Sequence, residues 1–293
     1  MTIVYAFARV GELLESDTAV VLTDRIHDQC VFETRLAERL RRAHRGERMR
    51  LYGQVYGEYA EKFPEHLPKD SVKAERGARN EVSFLQRFLS SSMVVAEIGP
   101  GRCHLAFALA PLVRKIYGVD VSAIEGSATP PANFELRLTD GIRMPFDSDS
   151  IDLVVSNQLM EHLHPDDADE QLREVHRVLR TGGRYVCITP SRVNGPHDCS
   201  AYFDDLPCPI QGGHYIATGL HLKEYTTPDL LAAMQRAGFT RQQTYIGARG
   251  KYVSLPPVIM TSVESALRLV PARRRKRSKL LALMLGNRVC AIK

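Results

Sequence analysis

Three acidic residues follow three successive segments that are typical of short buried strands, and together they could hold a nucleoside. Glu97 lies in "VVAEIG", Asp120 in "YGVDVS" and Asp140 in "LTDG". A carboxylate after the second strand could accept from both hydroxyls of a ribose. Asp140 could accept from an adenine amine, while Gly141 beside it offers a backbone N–H. Because Glu97 could also meet a cation, the three acids predict a nucleoside ligand that carries a positive charge.

The stretch "EIGPGRCH" predicts a tight turn that lets this ligand approach the backbone. Gly99 and Gly101 permit such a strand-to-helix turn. A dinucleotide-binding fingerprint would place a third glycine where His104 stands. We therefore favour a ligand without a pyrophosphate, and an NAD-dependent enzyme is the weaker alternative.

Histidines in three loops are candidates for a general base, since the pKa of histidine lies near neutrality. His162 lies in "MEHLHPDD", and His197 lies beside Asp198 in "NGPHDCSAYFDD", where the carboxylate could orient the imidazole. His221 in "GLHLKEYT" is a third option. The alternatives are that His162 serves packing and that His197 belongs to a polar turn. No metal site is expected, because the histidines lack HxxxH spacing with a further acid.

Strands and helices alternate from residue 80 onward, and this order predicts what positions these side chains. Short apolar runs between amphipathic helices are typical of a parallel sheet covered on both faces. In such a doubly wound α/β domain, ligands bind beyond the carboxyl ends of the strands. Gly182 and Gly183 are expected to end the helix that carries Val175, and Thr227 to cap the next helix. The predicted strands are "VVAEIG", "KIYGVDV", "FELRLT", "IDLVVSN", "RYVCITP", "RQQTYIG" and "RVCAIK".

Length and composition favour an ordinary globular protein. The chain has 293 residues, of which 44% are hydrophobic and 25% are charged. No apolar run reaches the roughly 18 residues of a membrane span, and the N-terminus is a poor signal peptide, so we expect a cytoplasmic location. The six cysteines form no CxxC pair, which predicts reduced thiols rather than a disulfide or zinc framework.

Positive charge is concentrated near the C-terminus. The run "RRRKRSK", residues 273–279, holds six basic side chains, and without it the net charge of +5 would fall close to zero. This local patch does not indicate a uniformly basic nucleic-acid binder. Residues 261–285 combine the patch with apolar helical pieces, so they could rest on an anionic membrane surface at the inner face. The alternative is a helix pair packed on the sheet and joined by a solvated basic link.

The chain is predicted to have two parts. Residues 1–79 form a helical extension, and residues 80–293 form the α/β domain. Two long connections interrupt that domain, an acceptor-loop insertion at 191–226 and a basic insertion at 250–287. Long connections in a compact domain are usually functional or disordered.

The motifs taken together resemble the class I S-adenosylmethionine-dependent methyltransferases, in particular the broad group of small bacterial type 11-like enzymes. The resemblance covers about residues 80–240, and it implies a seven-stranded sheet whose last strand is antiparallel. S-adenosylmethionine would bind at the strand ends, with no metal. The matching stretches are "EIGPG", "VDVS", "LTDG", "FDSDSIDLVVSNQLMEHL" and "VHRVLRTGGRYVCITP". The implied cofactor-binding residues are Glu97, Gly99, Gly101, Asp120, Val121, Asp140, Gly141, Asn157 and Gln158.

Two features qualify the resemblance. Cys103 occupies a position that is often glycine in the family, which leaves the shape of the loop open. Tyr56, or its neighbours Tyr52 and Tyr59, could lie over the cofactor as a lid, as N-terminal tyrosines often do in similar enzymes. A plain amphipathic helix with buried aromatic residues is the equal alternative.

The expected activity is methyl transfer to a hydroxyl of a small molecule, sugar or lipid-linked glycan. "SNQL" after the fourth strand lacks the Asn-Pro-Pro-aromatic run of base-modifying aminomethyltransferases, so a nucleic-acid acceptor is not favoured. Two alternatives stay open, a cofactor-binding module that acts through partners without turnover and an RNA methyltransferase. The acceptor atom, the general base and the oligomeric state are not determined by the sequence.

Overall fold

A mixed eight-stranded sheet forms the centre of the computed structural model. The strand order is β3-β2-β1-β4-β5-β10-β8-β9, and the first five strands of that order are parallel. The described strands are β1 (Val94–Ile98), β2 (Lys115–Asp120), β3 (Phe134–Leu138), β4 (Ile151–Asn157), β5 (Leu179–Pro190), β6 (Ile210–Gln211), β7 (His214–Tyr215), β8 (Arg241–Ala248), β9 (Lys251–Leu255) and β10 (Gly286–Ile292). The structure describes residues 17–64, 71–122, 129–193, 195–198, 210–211, 214–215, 219–248, 251–271, 274–275 and 286–293.

Helices cover both faces of this sheet, as the sequence predicted. The described α-helices are α1 (Asp17–Arg42), α2 (Arg45–Lys62), α3 (Ser71–Leu85), α4 (His104–Leu109), α5 (Pro165–Val178), α6 (Thr227–Arg236) and α7 (Pro257–Arg268). Three short 3₁₀ turns occupy Gln86–Phe88, Ala110–Leu112 and Met160–His162. Among the described helices, none combines the length and apolar character that a membrane crossing requires.

Alternate side chains of the central strands build two separate cores. Ala96 and Ile98 belong to the core that includes α5, α6 and the N-terminal helices. Val95 belongs to the core on the opposite face, with Phe84 of α3 and Leu109 of α4. All five residues of β1 are buried, which is why its sequence is continuously apolar except at Glu97.

The predicted strand number of seven was one too low. The additional strand is β9, which pairs antiparallel with β8 at the edge of the sheet. It lies in the segment 250–287 that was predicted as an insertion, together with α7. The strand was missed because "KYVSL" is largely exposed, so it lacks the apolar run by which buried strands are recognised. The predicted antiparallel last strand is confirmed as β10, which lies between β5 and β8.

Two local predictions at helix ends were wrong. Helix α5 ends at Val178, and Gly182 and Gly183 lie inside β5, where they exchange backbone hydrogen bonds with Lys293. Helix α6 is capped by Thr226 rather than Thr227, because the Thr226 side chain accepts from the Asp229 N–H.

The cysteine prediction also fails at one position. Cys30 on α1 is disulfide-bonded, with a partner outside the described residues. Cys103, Cys187 and Cys290 are free and buried. Sequence spacing could not reveal the disulfide, because the cysteine partners of a disulfide can be brought together by tertiary structure alone.

Candidate functional site

Four adjacent strands bring the predicted cofactor residues to one edge of the sheet. Glu97 is the penultimate residue of β1, Asp120 ends β2 and Asn157 ends β4. Asp140 follows β3 by two residues. Because these strands are parallel and adjacent, the four side chains lie at their common carboxyl edge, where α/β sheets bind ligands.

Glu97 is a buried carboxyl group, and one of its two oxygen atoms could accept from a cationic ligand. Only 3% of the residue is exposed, and the Ala106 backbone N–H donates to its carboxylate. Its Oε2 atom has no hydrogen-bond partner among the described residues. Burial, with a smaller effect of the Asp120 charge, raises the pKa of Glu97 to about 8. A cation beside Oε2 would stabilise the ionised form.

The turn after β1 uses three left-handed residues in close succession. Gly99 has φ of +64°, Gly101 has φ of +54° and Cys103 has φ of +60°. Cys103 therefore adopts a left-handed conformation, for which glycine is the best suited residue. A Cβ on Gly99 would lie 2.8 Å from Leu159 Cδ1, so the turn packs directly against the residues after β4.

Asp120 is held in place by the backbone of two loops. Its Oδ1 accepts from the N–H groups of Val121 at 2.7 Å and Ser122 at 3.4 Å. Its Oδ2 accepts from the Gly101 N–H at 3.3 Å. The carboxylate thus faces the glycine turn, in a position suited to the hydroxyls of a ribose. Burial raises its pKa.

Asp140, Gly141 and Val121 lie together beside this carboxylate. Asp140 Oδ1 accepts from the N–H groups of Ile142 and Arg143, so one carboxylate oxygen is used to hold the turn. Gly141 has φ of +88°, and a Cβ on it would lie 3.0 Å from Val121 Cγ1. The glycine therefore allows both a left-handed turn and close packing against Val121.

Asn157 and Gln158 occupy the exit from β4. Gln158 has φ of +57°, and its N–H donates to the Ile188 carbonyl at 2.8 Å. A residue other than glycine costs free energy when it adopts the left-handed conformation, and such residues are concentrated at functional sites. The conformation turns the chain towards the 3₁₀ turn that carries His162.

Helix α2 of the N-terminal extension packs beside the carboxyl edge of the sheet through contacts with α5. Arg48 and Asp167 form a buried bidentate pair, with Nε–Oδ2 and Nη2–Oδ1 distances of 2.7 and 2.8 Å. The Tyr52 hydroxyl donates to Asp167 Oδ2 and accepts from the His164 N–H. Tyr56 lies one turn further along, with its ring 5.8 Å from the His162 ring, edge to face. Its buried hydroxyl has no hydrogen-bond partner among the described residues.

Two histidines share one buried glutamate. Glu224 Oε2 lies 3.2 Å from His197 Nδ1, and Glu224 Oε1 lies 2.8 Å from His221 Nδ1. The His197 backbone N–H also donates to Glu224. The predicted pairing of His197 with Asp198 is therefore wrong, because the Asp198 carboxylate instead accepts from the Gly219 N–H at 2.8 Å.

The contact between Glu224 and His221 shifts the pKa values of both residues. Burial alone would raise the pKa of Glu224, but the two histidines hold it well below its usual range. Burial alone would lower the pKa of His221, but the hydrogen bond and charge of Glu224 raise it to about 9.

His162 links this group to β4. Its Nδ1 lies 3.2 Å from the Leu220 carbonyl, and its ring lies 4.9 Å from the His221 ring. Burial lowers the pKa of His162 well below its ordinary value, so the ring is neutral at physiological pH. The structure therefore brings together His162, His197 and His221, which the sequence offered as separate candidates.

Sequence reasoning missed the acids that organise these histidines. Glu224 stands three residues after His221 and could have been recognised by that spacing. Glu161, directly before His162, is fully buried, and its Oε2 accepts from Thr189 Oγ1 at 2.8 Å. The contribution of Thr189 had no sequence signal, because it comes from the end of a neighbouring strand.

Comparison with known proteins identifies the class of this site. Residues 96–187 match a family model described as a methyltransferase domain. A probable S-adenosylmethionine-dependent methyltransferase of Mycolicibacterium smegmatis is 25% identical over 152 residues, which are 51% of this chain and 53% of the relative. The chain spans about half or less of the length of the curated relatives that it matches.

Two solved structures share the fold. A SAM-dependent methyltransferase from Archaeoglobus fulgidus has a TM-score of 0.50 at 16% identity, covering 81% of this chain and 99% of that one. Haemonchus contortus phosphoethanolamine N-methyltransferase 1, in complex with phosphoethanolamine and S-adenosylhomocysteine, has a TM-score of 0.52 at 16% identity. The match covers 85% of this chain and 50% of the Haemonchus contortus enzyme.

The fold defines a doubly wound α/β protein, a class in which ligands bind at the carboxyl edge of the sheet. More specifically, the chain contains a class I S-adenosylmethionine-dependent methyltransferase domain, as the sequence resemblance implied. S-adenosylmethionine is the cofactor of this class. The residues present fit it, because the buried Oε2 of Glu97 lacks a partner among the described residues and the glycine turn leaves the backbone accessible.

Proposed function

We propose that this chain transfers a methyl group from S-adenosylmethionine to a hydroxyl of a small molecule, sugar or lipid-linked glycan. The observation that carries the proposal is the buried pair of His197 and Glu224, which is connected through His221 and His162 to the exit of β4. When bound, the cofactor supplies a methyl group activated by its positively charged sulfur.

The cofactor would be held by the residues at the carboxyl edge. We assign Glu97 to its cationic amino acid part, Asp120 to the ribose, and Asp140 with Gly141 to the adenine. Gly99, Gly101, Val121, Asn157, Gln158 and Tyr56 would line the same site. This assignment is supported by the fixed orientation of Asp120, which accepts from two loops at once.

We assign the general base to His197. A carboxylate can only accept, so a neutral His197 ring donates its Nδ1 proton to Glu224 and keeps Nε2 free to take a proton. His197 Nε2 is buried and has no hydrogen-bond partner among the described residues. An acceptor hydroxyl at Nε2 would fill that place and lose its proton as the methyl group arrives. Glu224 fixes the tautomer and stabilises the imidazolium that forms.

A lipid-linked acceptor is supported by the surface of α7. Val258 is 75% exposed, and Leu269, just after the helix, is 87% exposed. Exposed apolar side chains beside a basic run suit a peripheral contact with an anionic membrane. Of the basic run itself, only Arg274 and Arg275 lie within the described residues, and Arg275 is buried.

The test uses S-adenosylmethionine labelled on its methyl group, the purified full chain and extract from the source cells. Lipid, glycan, small-molecule and RNA fractions are then separated. We expect label in the lipid, glycan or small-molecule fraction, and loss of that label with Asp120→Ala. Label in RNA would overturn the proposed acceptor. No label in any fraction, with S-adenosylhomocysteine still bound in calorimetry, would favour a non-catalytic module.

A second measurement tests the base. Glu224→Gln should lower the rate of methyl transfer by about a hundredfold or more, because the wrong tautomer of His197 is then favoured. The affinity for S-adenosylhomocysteine should change little. Glu264→Gln is the matched control, since Glu264 is another buried glutamate that accepts from a backbone N–H, that of Thr227. Equal losses in both variants would remove His197 and Glu224 from the mechanism.

A further inference from the structure

Glu161, His162 and His221 converge in a buried cluster that the proposed base does not explain. One potential ligand atom from each residue lies within 4.8 Å of the others. Glu161 is fully buried, and each histidine is 7% exposed. The two histidines come from distant segments, one from the turn after β4 and the other from the connection before α6.

Each histidine is oriented by a hydrogen bond from Nδ1. The His162 Nδ1 faces the Leu220 carbonyl at 3.2 Å, and the His221 Nδ1 faces Glu224 Oε1 at 2.8 Å. Both partners only accept hydrogen bonds, so each Nδ1 carries a proton. Nε2 is then the nitrogen that a metal ion would bind, in place of any proton that it carries. Metal-binding histidines typically donate their other N–H to a backbone carbonyl or a carboxylate in this way.

Glu161 supplies the third donor. Its Oε2 accepts from Thr189 Oγ1 at 2.8 Å, which fixes the carboxylate. Its Oε1 is buried and has no hydrogen-bond partner among the described residues. A buried carboxylate oxygen without a donor is unfavourable unless a cation meets it. A metal ion would provide that cation.

We propose that Glu161, His162 and His221 bind one divalent transition-metal ion of the zinc, manganese or iron type. Two imidazoles favour such ions over magnesium and calcium, and two histidines with one carboxylate form a known three-ligand set that leaves positions open. The donor atoms would have to draw together by about an ångström to reach ligand distances of about 2.0 to 2.2 Å.

The open positions of the ion would bind an oxygen of the methyl acceptor and lower the pKa of its hydroxyl. This role rests on the proposed function, whereas metal binding itself does not. It favours acceptors with two adjacent oxygens, which could chelate the ion. No metal was predicted from the sequence, because the HxxxH pattern places two histidines on one helix. Here the fold brings together ligands from separate segments of the chain.

The experiment titrates Zn²⁺ into the chelator-treated full chain by calorimetry and records the visible absorption of the Co²⁺ form. We expect one ion per chain. Glu161→Gln and His221→Ala should each weaken binding at least a hundredfold and remove the Co²⁺ bands. Glu224→Gln should weaken binding by about 10- to 100-fold, the usual effect of losing a residue that orients a ligand.

Matched controls separate this inference from folding and from cofactor binding. His176→Ala removes a histidine that instead packs against Phe239, and it should leave metal binding unchanged. Glu161→Gln keeps the shape of the side chain, and circular dichroism checks its fold. The proposal is overturned if the wild-type chain binds Zn²⁺ and Co²⁺ no better than folded Glu161→Gln. S-adenosylhomocysteine affinity, measured on the same samples, reports on the proposed function independently of the metal.

Discussion

Arg48 of α2 and Asp167 in the first turn of α5 form a bidentate ion pair in which both side chains are almost fully buried. The Tyr52 hydroxyl completes the arrangement by donating to the same carboxylate. The first two helices are thereby joined to the α/β domain beside the 3₁₀ turn that carries His162. This contact of the N-terminal helical extension lies close to the candidate catalytic histidines.

Asp167→Asn should lower the free energy of unfolding by about 3 to 5 kcal/mol, because it leaves the Arg48 cation buried without its counter-charge. The comparison is Asp169→Asn, which breaks an ion pair with Arg236 that is half-exposed and should cost less than about 1 kcal/mol. Urea unfolding followed by circular dichroism measures both, since the chain has no tryptophan. Similar losses in the two variants would contradict the anchoring role of Arg48 and Asp167.

Cofactor affinity should rise with pH because of Glu97. Its pKa of about 8 means that the free protein holds Glu97 mainly protonated at pH 6. The ammonium group of S-adenosylhomocysteine favours the Glu97 carboxylate, so the affinity for this ligand should increase by nearly tenfold per pH unit between about pH 5.5 and 7. Calorimetry at several pH values measures this slope. Glu97→Gln should bind more weakly and lose most of the slope, and a variant that keeps the full slope would exclude Glu97 as its source.

The same group makes the free protein less stable as pH rises. The pKa of Glu97 is higher in the folded chain than its ordinary value of 4.5. Its contribution to stability is therefore full below about pH 4.5 and declines as pH rises towards 8. Glu97→Gln should flatten this decline in urea unfolding of the cofactor-free chain between pH 5.5 and 8. An unchanged profile would argue against a buried, protonated Glu97.

Asp120→Asn should weaken S-adenosylhomocysteine binding by about 10- to 100-fold, since hydrogen bonds to a charged group contribute about 1.5 to 3 kcal/mol. Asp140→Asn should have a smaller effect, because Asp140 Oδ1 already accepts from the Ile142 and Arg143 backbone. Calorimetry compares the two variants, and circular dichroism confirms that each is folded. If the order of the two effects were reversed, the assignment of the ribose to Asp120 would be wrong.

The two glycines of the turn after β1 should respond differently to alanine. Both have positive φ, which costs about 1 to 2 kcal/mol in an alanine. A Cβ on Gly99 would also lie 2.8 Å from Leu159 Cδ1, whereas a Cβ on Gly101 would meet nothing within 4 Å. Gly99→Ala should therefore lower the free energy of unfolding more than Gly101→Ala does. Urea unfolding of the two variants tests this, and equal losses would show that Leu159 moves aside freely.

The sequence by itself determined the strands at the centre of the sheet and the residues at their carboxyl ends. Buried parallel strands are largely apolar, so β1 and β4 were visible in the sequence. Glu97 was visible as an interruption of the apolar run of β1, and Asp120 as the acid that ends β2. The parallel arrangement then placed Glu97, Asp120 and Asp140 at one edge. Strand β9 was not visible, because an exposed edge strand needs no apolar run.

Only the tertiary structure decided which carboxylates form hydrogen bonds with the histidines. Their adjacency in the sequence suggested that Asp198 orients His197. In the structure the His197 ring contacts Glu224, and the Asp198 carboxylate accepts from the Gly219 N–H. The same holds for the cluster of Glu161 and His221, and for the pair of Arg48 and Asp167, whose members lie far apart along the chain. Such contacts depend on how separate elements pack together. Local patterns record the periodicity of each element and its ends, but not the side chains that a distant segment will bring beside it.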